Sequence, residues 1–204
     1  MPRKTDKRVR LIEAAKLLIH RQGFNLTTLA DIAQEADVPL GNVYYYFKTK
    51  VAIGIAVIEQ RAAELAENLS LFQQNPDPLA RLVELVRSTL EDVDMVARYG
   101  CPVGGLCQEL GKQGGALSDL SAKLLHDVLE WSSEQFRALG FSADKSGEHA
   151  LNLISSIQGV NLLTHTFKDP KLAQRQCQYL EKWLEMLANR KPQVLSRASA
   201  AASA

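Results

Sequence analysis

The stretch that decides the fold is residues 27–50, TTLADIAQEADVPLGNVYYYFKTK, which contains two short helical patterns around a tight turn. Thr28 and Asp31 have the spacing of a capping box, in which each side chain accepts the other residue's backbone N–H. Asp37 can adopt the left-handed conformation that such a turn uses, and Pro39 is suited to the start of a helix. The sequence therefore predicts a helix-turn-helix over residues 28–47, a motif whose second helix enters the DNA major groove.

Three consecutive tyrosines, residues 44–46, make this second helix unusual. Val43 and Phe47 are four residues apart and are expected to face inward, whereas side chains about 100° apart cannot all face one core. Exposed phenol groups can contact phosphates, base edges and thymine methyls, and Lys48 and Lys50 can neutralise phosphate. The alternative is that the tyrosines are ordinary packing residues of a small helical subdomain.

The start of the first of these two helices offers a second candidate contact with DNA. Thr27, Thr28 and the free N–H groups of the first turn form a predicted phosphate seat. Charge supports an anionic partner for this end of the chain. Residues 1–50 hold nine Lys or Arg and five Asp or Glu, a net charge of +4, while residues 51–204 hold fifteen and eighteen, a net charge of −3. Such an excess is also common on solvated surfaces, so the charge alone decides nothing.

Helical periodicity continues through most of the remaining sequence. Apolar residues spaced three and four apart predict long helices, and no alternating pattern predicts a strand. Six of the twelve glycines lie in residues 100–115, which are expected to be a loop or a broken helix. The sequence thus predicts an all-α fold of about nine helices, with long helices over residues 51–72, 79–97, 117–139, 142–167 and 170–189.

Composition and length exclude several classes of protein. A chain of 204 residues with 46% hydrophobic and 23% charged residues is expected to form a substantial core. No apolar run approaches the roughly 18 residues of a membrane span, and no apolar segment follows the basic N-terminus, so we expect no signal peptide. Three cysteines without close pairs favour a reducing cytoplasm over a disulfide framework.

The motifs of the N-terminal part are specific enough to indicate a family. LIEAA at residues 11–15, TTLADIA at 27–33, ADV at 36–38 and GNVYYYFKTK at 41–50 resemble the DNA-binding head of the tetracycline-repressor (TetR) family, with a match over about residues 8–58. The resemblance implies a helix-turn-helix DNA-binding domain over residues 1–50 that contacts double-stranded operator DNA. The positions implied to touch DNA are Thr28, Leu40, Gly41, Asn42, Tyr44, Tyr45, Tyr46 and Lys50.

The resemblance also implies a helical effector-binding and dimerisation domain over residues 51–192, followed by a disordered tail at 193–204. Such a protein is a one-component transcriptional regulator, expected to be a repressor that binds palindromic DNA as a homodimer and is released by a small-molecule effector. The helix over residues 51–72 would act as the lever. The dimer is expected to form through the last two long helices, residues 142–167 and 170–189. The second of these carries an apolar seam that from periodicity alone could equally pack on its own domain: Ala173, Cys177, Leu180, Leu184 and Leu187.

The segment Gly100–Leu110 resembles a Gly-Cys-x-x-Gly-x-Leu-x-x-Glu-Leu pattern of one TetR subgroup. Flexible glycines beside Cys101 and Cys107 are compatible with an effector that is an electrophile or an oxidant. The alternative, which we favour from sequence, is that both cysteines are small buried apolar residues. Polar and aromatic residues within the apolar helices are candidates to line an effector cavity, and these candidates are Tyr99, Cys101, Cys107, Gln108, Trp131, Gln158, Asn161 and His165.

Two other functional classes remain as alternatives. A helical enzyme could pair Cys101 or Cys107 with His165, although no spacing demands it. A helical adaptor that does not bind DNA would leave the basic head and the tyrosines unexplained. The four histidines show no metal-ligand spacing, and no phosphate-binding glycine loop is present, so the sequence predicts neither a metal nor a cofactor.

Overall fold

The structure, a computed structural model, describes residues 4–189, and this part of the chain consists of helices and the turns between them. The all-α prediction is confirmed, and the predicted tail at residues 193–204 lies outside the described residues. No helix between Lys4 and Asn189 is long and apolar enough to cross a membrane. The ten helices are α1 (Lys4–Gln22), α2 (Leu29–Glu35), α3 (Leu40–Tyr46), α4 (Lys50–Gln73), α5 (Pro78–Ser88), α6 (Val93–Tyr99), α7 (Pro102–Gly111), α8 (Ala116–Ala138), α9 (Ala143–Phe167) and α10 (Pro170–Asn189).

The structure contains the capping box and the left-handed turn residue that the sequence predicts for α2 and the turn after it. Thr28 Oγ1 accepts a hydrogen bond from Asp31 N–H at 3.1 Å, and Asp31 Oδ2 accepts one from Thr28 N–H at 2.8 Å, so the capping box is complete. Asp37 has the expected left-handed backbone, with φ of 50°. Arg10 of α1 donates hydrogen bonds to the carbonyls of Ala36 and Asp37, which ties the turn to the first helix.

One long helix predicted over residues 79–97 is instead two helices, α5 and α6, separated by residues 89–92. The hydroxyls of Ser88 and Thr89 donate to the carbonyls of Leu85 and Val86, at 2.9 and 2.6 Å. Such side-chain bonds compete with helical backbone bonds. The chain consequently turns here, and apolar periodicity alone could not show the break.

The glycine-rich segment, expected to be a loop or a broken helix, contains a regular helix, α7, flanked by turns. Gly100, Gly114 and Gly115 have φ between 69° and 86° and lie on either side of this helix. Pro102 occupies its first turn, where the missing N–H costs nothing. The glycines that need left-handed backbone therefore lie on either side of α7. Within the helix, Gly105 and Gly111 have open space beside them, whereas Gly104 is buried.

Two hydrophobic cores organise the described chain. The first joins α1–α3 to the start of α4 and also includes Leu106, Leu110 and Leu124. It therefore crosses the predicted domain boundary at residue 50. The second lies between α5, α8, α9 and α10 and contains Phe136, the largest fully buried side chain.

The apolar seam of α10 belongs to the second core. Ala173, Cys177, Leu180 and Leu184 are all buried, and Leu187 packs against them. Because α5 and α9 of the same chain cover this face, the seam packs on its own domain, which is one of the two alternatives that periodicity left open, and it is not the dimer contact. Periodicity showed that the helix has a buried face, but it could not show which molecule covers that face.

An aromatic cluster at one end of the second core encloses a histidine. The His149 ring lies 5.4, 4.8 and 6.0 Å from the rings of Phe136, Phe141 and Trp183. Burial lowers the pKa of His149, and the nearby Lys145 acts in the same direction, against Glu148. The neutral imidazole is therefore the form that this cluster accommodates.

We expect the substitution His149→Phe to make folding less sensitive to acid. The unfolded chain, with a histidine pKa of about 6.5, binds more protons than the folded chain in mildly acidic solution. The stabilisation from the neutral ring is complete above the unfolded pKa and is lost as the pH falls through the lowered folded pKa. Thermal unfolding at neutral and at mildly acidic pH should show a smaller decrease of Tm in the variant than in the wild type.

His126 provides the matched control, because its side chain is 65% exposed. The variant His126→Phe should lose as much stability on acidification as the wild type does. An equal loss in His149→Phe would show that His149 does not carry this pH dependence.

Candidate nucleic-acid interface and adjoining cavity

The third helix presents an aromatic surface to solvent. Val43 and Phe47 are buried, as predicted, and they fix one face of α3 against the first core. Tyr44 and Tyr45 on the other side are 51% and 68% exposed. Large aromatic rings at such exposure are unusual on a surface without a partner. Leu40 and Gly41 are also exposed and belong to the same short helix.

Two further residues implied to touch DNA are less accessible. Tyr46 is half-buried, packs against the first core and lies edge-on to Tyr45 at 5.0 Å. Asn42 is half-buried as well. Thr28 is exposed, but its hydroxyl caps α2, while Thr27 is 1% exposed and donates its hydroxyl to Gly23 O at 2.7 Å. The predicted phosphate seat is therefore wrong for Thr27, which is part of the protein interior.

Lys50, implied to bind DNA, contacts its own chain. Its Nζ donates to Asn25 O at 2.8 Å and lies 4.8 Å from the centre of the Phe24 ring. Burial lowers its pKa, although the carboxylates of Glu109 and Asp31 act in the opposite direction. The ammonium group thus holds the loop between α1 and α2, a role that the sequence did not indicate.

Glu109 of α7 binds the same loop from the body of the protein. Its carboxylate accepts hydrogen bonds from the backbone N–H groups of Phe24 and Asn25, both at 2.7 Å. Gln113, just beyond α7, donates to Asn25 Oδ1 at 2.7 Å. Gly23 has φ of 89°, and a Cβ there would lie 2.9 Å from a Glu109 carboxylate oxygen, so glycine allows this close approach.

The segment before α7 is also bonded to the first helix. His20 Nε2 lies 2.8 Å from Gly100 O, and its ring packs edge-on against Tyr99 at 5.8 Å. Burial lowers the pKa of His20. Two attachments consequently join this region to α1: Gly100, just before α7, contacts His20 in the last turn of α1, and Glu109, near the end of α7, binds the loop that follows α1. We call this pair of attachments the α1–α7 bracket.

A cavity of about 220 Å³ lies between α7 and α9, beside the bracket. Its walls include six of the eight candidate effector-binding residues, brought together from three separate segments: Tyr99, Cys101, Gln108, Gln158, Asn161 and His165. A second opening of about 250 Å³ shares Tyr99, Cys101 and His165 and extends towards His20. The spacing of Gln158, Asn161 and His165 along α9 predicts that they share one face, and the structure has them on one wall.

The structure separates the other two candidate residues from this cavity. Trp131 of α8 packs against Phe72 at 6.2 Å and belongs to the second core. Cys107 points to α8 and donates its thiol to Ser121 O at 3.1 Å. Cys107 thus contacts α8 and Trp131 contacts α4, and a list of residue types cannot predict either position.

The three cysteines have different surroundings, and none forms a disulfide. Cys101 lines the cavity and its Sγ accepts a hydrogen bond from Gly104 N–H at 3.3 Å, in the first turn of α7. Burial raises the pKa of Cys107, and burial together with Glu181 raises the pKa of Cys177 to about 11. No cluster of His, Cys, Asp and Glu suited to a metal ion occurs between residues 4 and 189.

We expect iodoacetamide to alkylate Cys101 at least tenfold faster than Cys107 or Cys177 at neutral pH. The thiolate is the reacting form, burial disfavours it at the other two positions, and only Cys101 faces the cavity. Peptide mass spectrometry after timed quenching would measure each rate. The variant Cys101→Ser should leave only slow modification, and equal rates at Cys101 and Cys107 would contradict this assignment.

Sequence reasoning missed the residues of the α1–α7 bracket. Glu109 lies within the quoted glycine-rich pattern and His20 in the last turn of α1, but each looks like an ordinary surface residue. Their partners are backbone groups about 80 residues away in sequence. No periodicity or motif records such a contact, so only the structure identifies it.

Comparison with known proteins agrees with this architecture. Residues 11–57 match the family model for bacterial regulatory proteins of the tetR family. The chain is 29% identical over 164 residues to an uncharacterized HTH-type transcriptional regulator of Lactococcus lactis, covering 78% of this chain and 84% of that one. It is 32% identical over 145 residues to the transcriptional regulator AcuR of Cereibacter sphaeroides, covering 68% and 65%.

A solved structure gives the same result for the whole fold. The regulatory protein TetR from Rhodobacter sphaeroides superposes with a TM-score of 0.75 at 26% identity, covering 86% of this chain and 97% of that one. The match includes the helix-turn-helix head and extends through the helical body. Its head, its fold and these relatives together show that the chain is a DNA-binding transcriptional regulator, with a head that matches the tetR family model and a fold similar to that of TetR regulators.

Proposed function

We propose that this regulator acts in the cytoplasm as a homodimeric repressor, binds a palindromic operator through α3 of each protomer, and is released by a small-molecule effector. The observation that carries the proposal is the pair of exposed rings, Tyr44 and Tyr45, on a helix whose opposite face is fixed by Val43. A short rigid helix with an exposed aromatic face suits the major groove. The net charge of +4 over residues 1–50 suits the phosphates on either side.

The DNA contacts divide into direct and indirect ones. We assign the base edges and thymine methyls to Tyr44 and Tyr45, with the remaining residues at the margins of the same surface. Lys50 acts indirectly in this proposal, because its ammonium group already binds Asn25 O and orders the loop before α2. The marginal contacts are Thr28, Leu40, Gly41, Asn42 and Tyr46.

We assign the dimer to the exposed faces of α9 and α10, and not to the buried seam of α10. Leu151 and Leu162 are exposed and lie eleven residues apart, close to three helical turns, on one side of α9. Tyr179 and Met186, seven residues apart on α10, are exposed as well. Between the two leucines, Ser155 and Gly159 are small and exposed, which would allow a partner helix to approach closely.

The α1–α7 bracket offers a route from the effector to the DNA. The cavity wall includes Gly100 and Gln108, and the residues that bind α1 are Gly100 itself and Glu109, the neighbour of Gln108. An effector that favours a different position of α7 would therefore disfavour the present position of α1, with α4 as the lever. By reciprocity, DNA must weaken effector binding by the same factor.

An electrophilic effector is the second candidate, and the observation that favours it is the position of Cys101 in the wall of the cavity. The resemblance of Gly100–Leu110 to a TetR subgroup supports the same idea. An enzymatic role has less support, because no hydrogen bond joins Cys101 to His165. His165 Nδ1 instead faces Ala97 O at 3.3 Å and Lys168 Nζ at 3.1 Å.

We expect Tyr45→Ala to weaken binding to a DNA fragment selected by the wild-type protein roughly ten- to hundredfold, the value of one good base contact. Binding to random DNA should change little, because a base contact carries sequence information and phosphate contacts do not. Gel-shift titrations would measure the affinity for each fragment. If the ratio of the two affinities were the same in the variant and in the wild type, Tyr45 would not contact the bases.

Lys50→Ala is the contrasting variant in the same experiment. A lysine on phosphate would change the slope of log affinity against log salt by about 0.9. Because Lys50 Nζ donates to Asn25 O, we expect the slope to stay at the wild-type value while both affinities fall together. A salt slope reduced in magnitude by about one unit would instead show that Lys50 contacts a phosphate.

We expect the double substitution Leu151→Glu with Met186→Glu to convert the protein from a dimer to a monomer of 22.5 kDa. Operator affinity should then fall by roughly a hundredfold or more, because the second half-site no longer benefits from the first. Native mass spectrometry and gel shifts would measure the two effects. Leu71→Glu, on an exposed residue of α4, is the matched control and should change neither the oligomeric state nor the operator affinity. A wild-type protein that is itself monomeric would contradict the proposal.

A further inference from the structure

The cavity between α7 and α9 has no charged side chain in its walls. Carboxamides, a phenol, a thiol and an imidazole supply its polar groups, and glycine and leucine supply the rest. A charged ligand would lose its hydration there without meeting an opposite charge, which makes its burial unfavourable. The composition of the walls therefore selects against carboxylates and ammonium groups.

Asn161 is the deepest of the three carboxamide side chains. It is 6% exposed, and its Oδ1 has no hydrogen-bond partner within residues 4–189. It occupies a core position of α9, one turn after the buried Ile157. Buried polar atoms without partners are rare in native proteins, and Asn161 also lines the cavity, so its carboxamide is the polar group that a ligand in the cavity would meet.

Two glutamines continue the polar wall from Asn161 towards solvent. Gln158 is half-buried and Gln108 is exposed, and neither forms a hydrogen bond to another described residue. The Gln158 carboxamide lies against Gly104, where a Cβ would be 2.4 Å from Oε1. Glycine at 104 therefore leaves the room that this carboxamide occupies, and Gly105 has open space beside it.

We propose that this cavity binds a small uncharged molecule that both donates and accepts hydrogen bonds, and that Asn161 is its anchoring contact. The proposal deepens the effector site of the proposed function and rests on it. Each carboxamide provides two donors and one acceptor, which match the amide and hydroxyl groups of a neutral ligand. A volume of about 220 Å³ is below the usual range for drug-sized ligands, so the ligand has few heavy atoms.

The test uses three compounds that share one 2-hydroxypropyl skeleton: lactamide is neutral, lactate is an anion and 1-amino-2-propanol is a cation. The full-length dimer, labelled with nitrogen-15, is titrated with each of them while the side-chain NH₂ resonances of asparagine and glutamine are recorded. Lactamide should shift the resonances of Asn161 and Gln158, and it should bind at least tenfold more tightly than either charged compound.

Variants locate the binding. Asn161→Leu, similar in size but without hydrogen-bonding groups, should weaken lactamide binding at least tenfold, and Gln158→Leu gives a second reading if the first variant does not fold. Asn68→Leu changes an exposed asparagine of α4 and should bind lactamide as the wild type does. Any of three results would overturn the proposal. The resonances of Asn161 and Gln158 would not shift with lactamide, a charged compound would bind as tightly as lactamide, or both cavity variants would bind lactamide as the wild type does.

A gel shift with operator DNA on the same protein sample separates this inference from the proposed function. Operator binding without lactamide binding would overturn only the chemistry assigned to the cavity. Lactamide binding without operator binding would leave the cavity in place and overturn the role as a repressor.

Discussion

The position of the DNA-binding head depends on one carboxylate, that of Glu109. It accepts two backbone hydrogen bonds from the loop between α1 and α2, and bonds to an ionised acceptor stabilise by about 1.5–3 kcal/mol each. The loop carries the start of α2, and α2 with its turn orients α3. A side chain of the body therefore takes part in setting where the exposed tyrosines point.

This arrangement restricts the neighbouring residues. Gly23 must remain small, because a Cβ there would lie 2.9 Å from the carboxylate, and its left-handed backbone precedes the two N–H groups, of Phe24 and Asn25, that the carboxylate binds. Lys50 closes the loop from the opposite side through Asn25 O. The head is thus held by polar contacts of defined geometry as well as by the shared apolar core. A displacement of about an ångström would break such hydrogen bonds.

The sequence was most informative where structure is decided locally. The capping box of Thr28, the left-handed Asp37 and the inward Val43 all follow from neighbouring residues, and the structure contains each of them. The sequence was less informative where the outcome depends on distant parts of the chain, because the α10 seam is covered by α5 and α9 and Lys50 binds the loop before α2. The helix predicted over residues 79–97 is divided by local contacts, since the hydroxyls of Ser88 and Thr89 bond carbonyls three residues earlier and apolar spacing does not register such bonds.

The candidate cavity contains residues that the sequence identified correctly, and it lacks others that the sequence also suggested. Polar residues on apolar helices were recognised as unusual, and the three from α9 share a wall because helical geometry places them there. Trp131 and Cys107 were chosen by residue type alone, and they lie elsewhere because the rotation of α7 and α8 about their axes is set by packing. The residues of the α1–α7 bracket bond to backbone atoms, which leave no trace in the pattern of side chains.

The burial of the α10 seam within one chain has a consequence for how the regulator assembles. A protomer that completes both of its cores alone can fold without a partner, so folding and association are separate equilibria with different concentration dependence. At low protein concentration, separate protomers and dimers would then be in equilibrium. Operator DNA, by holding two protomers on adjacent half-sites, would itself favour the pair.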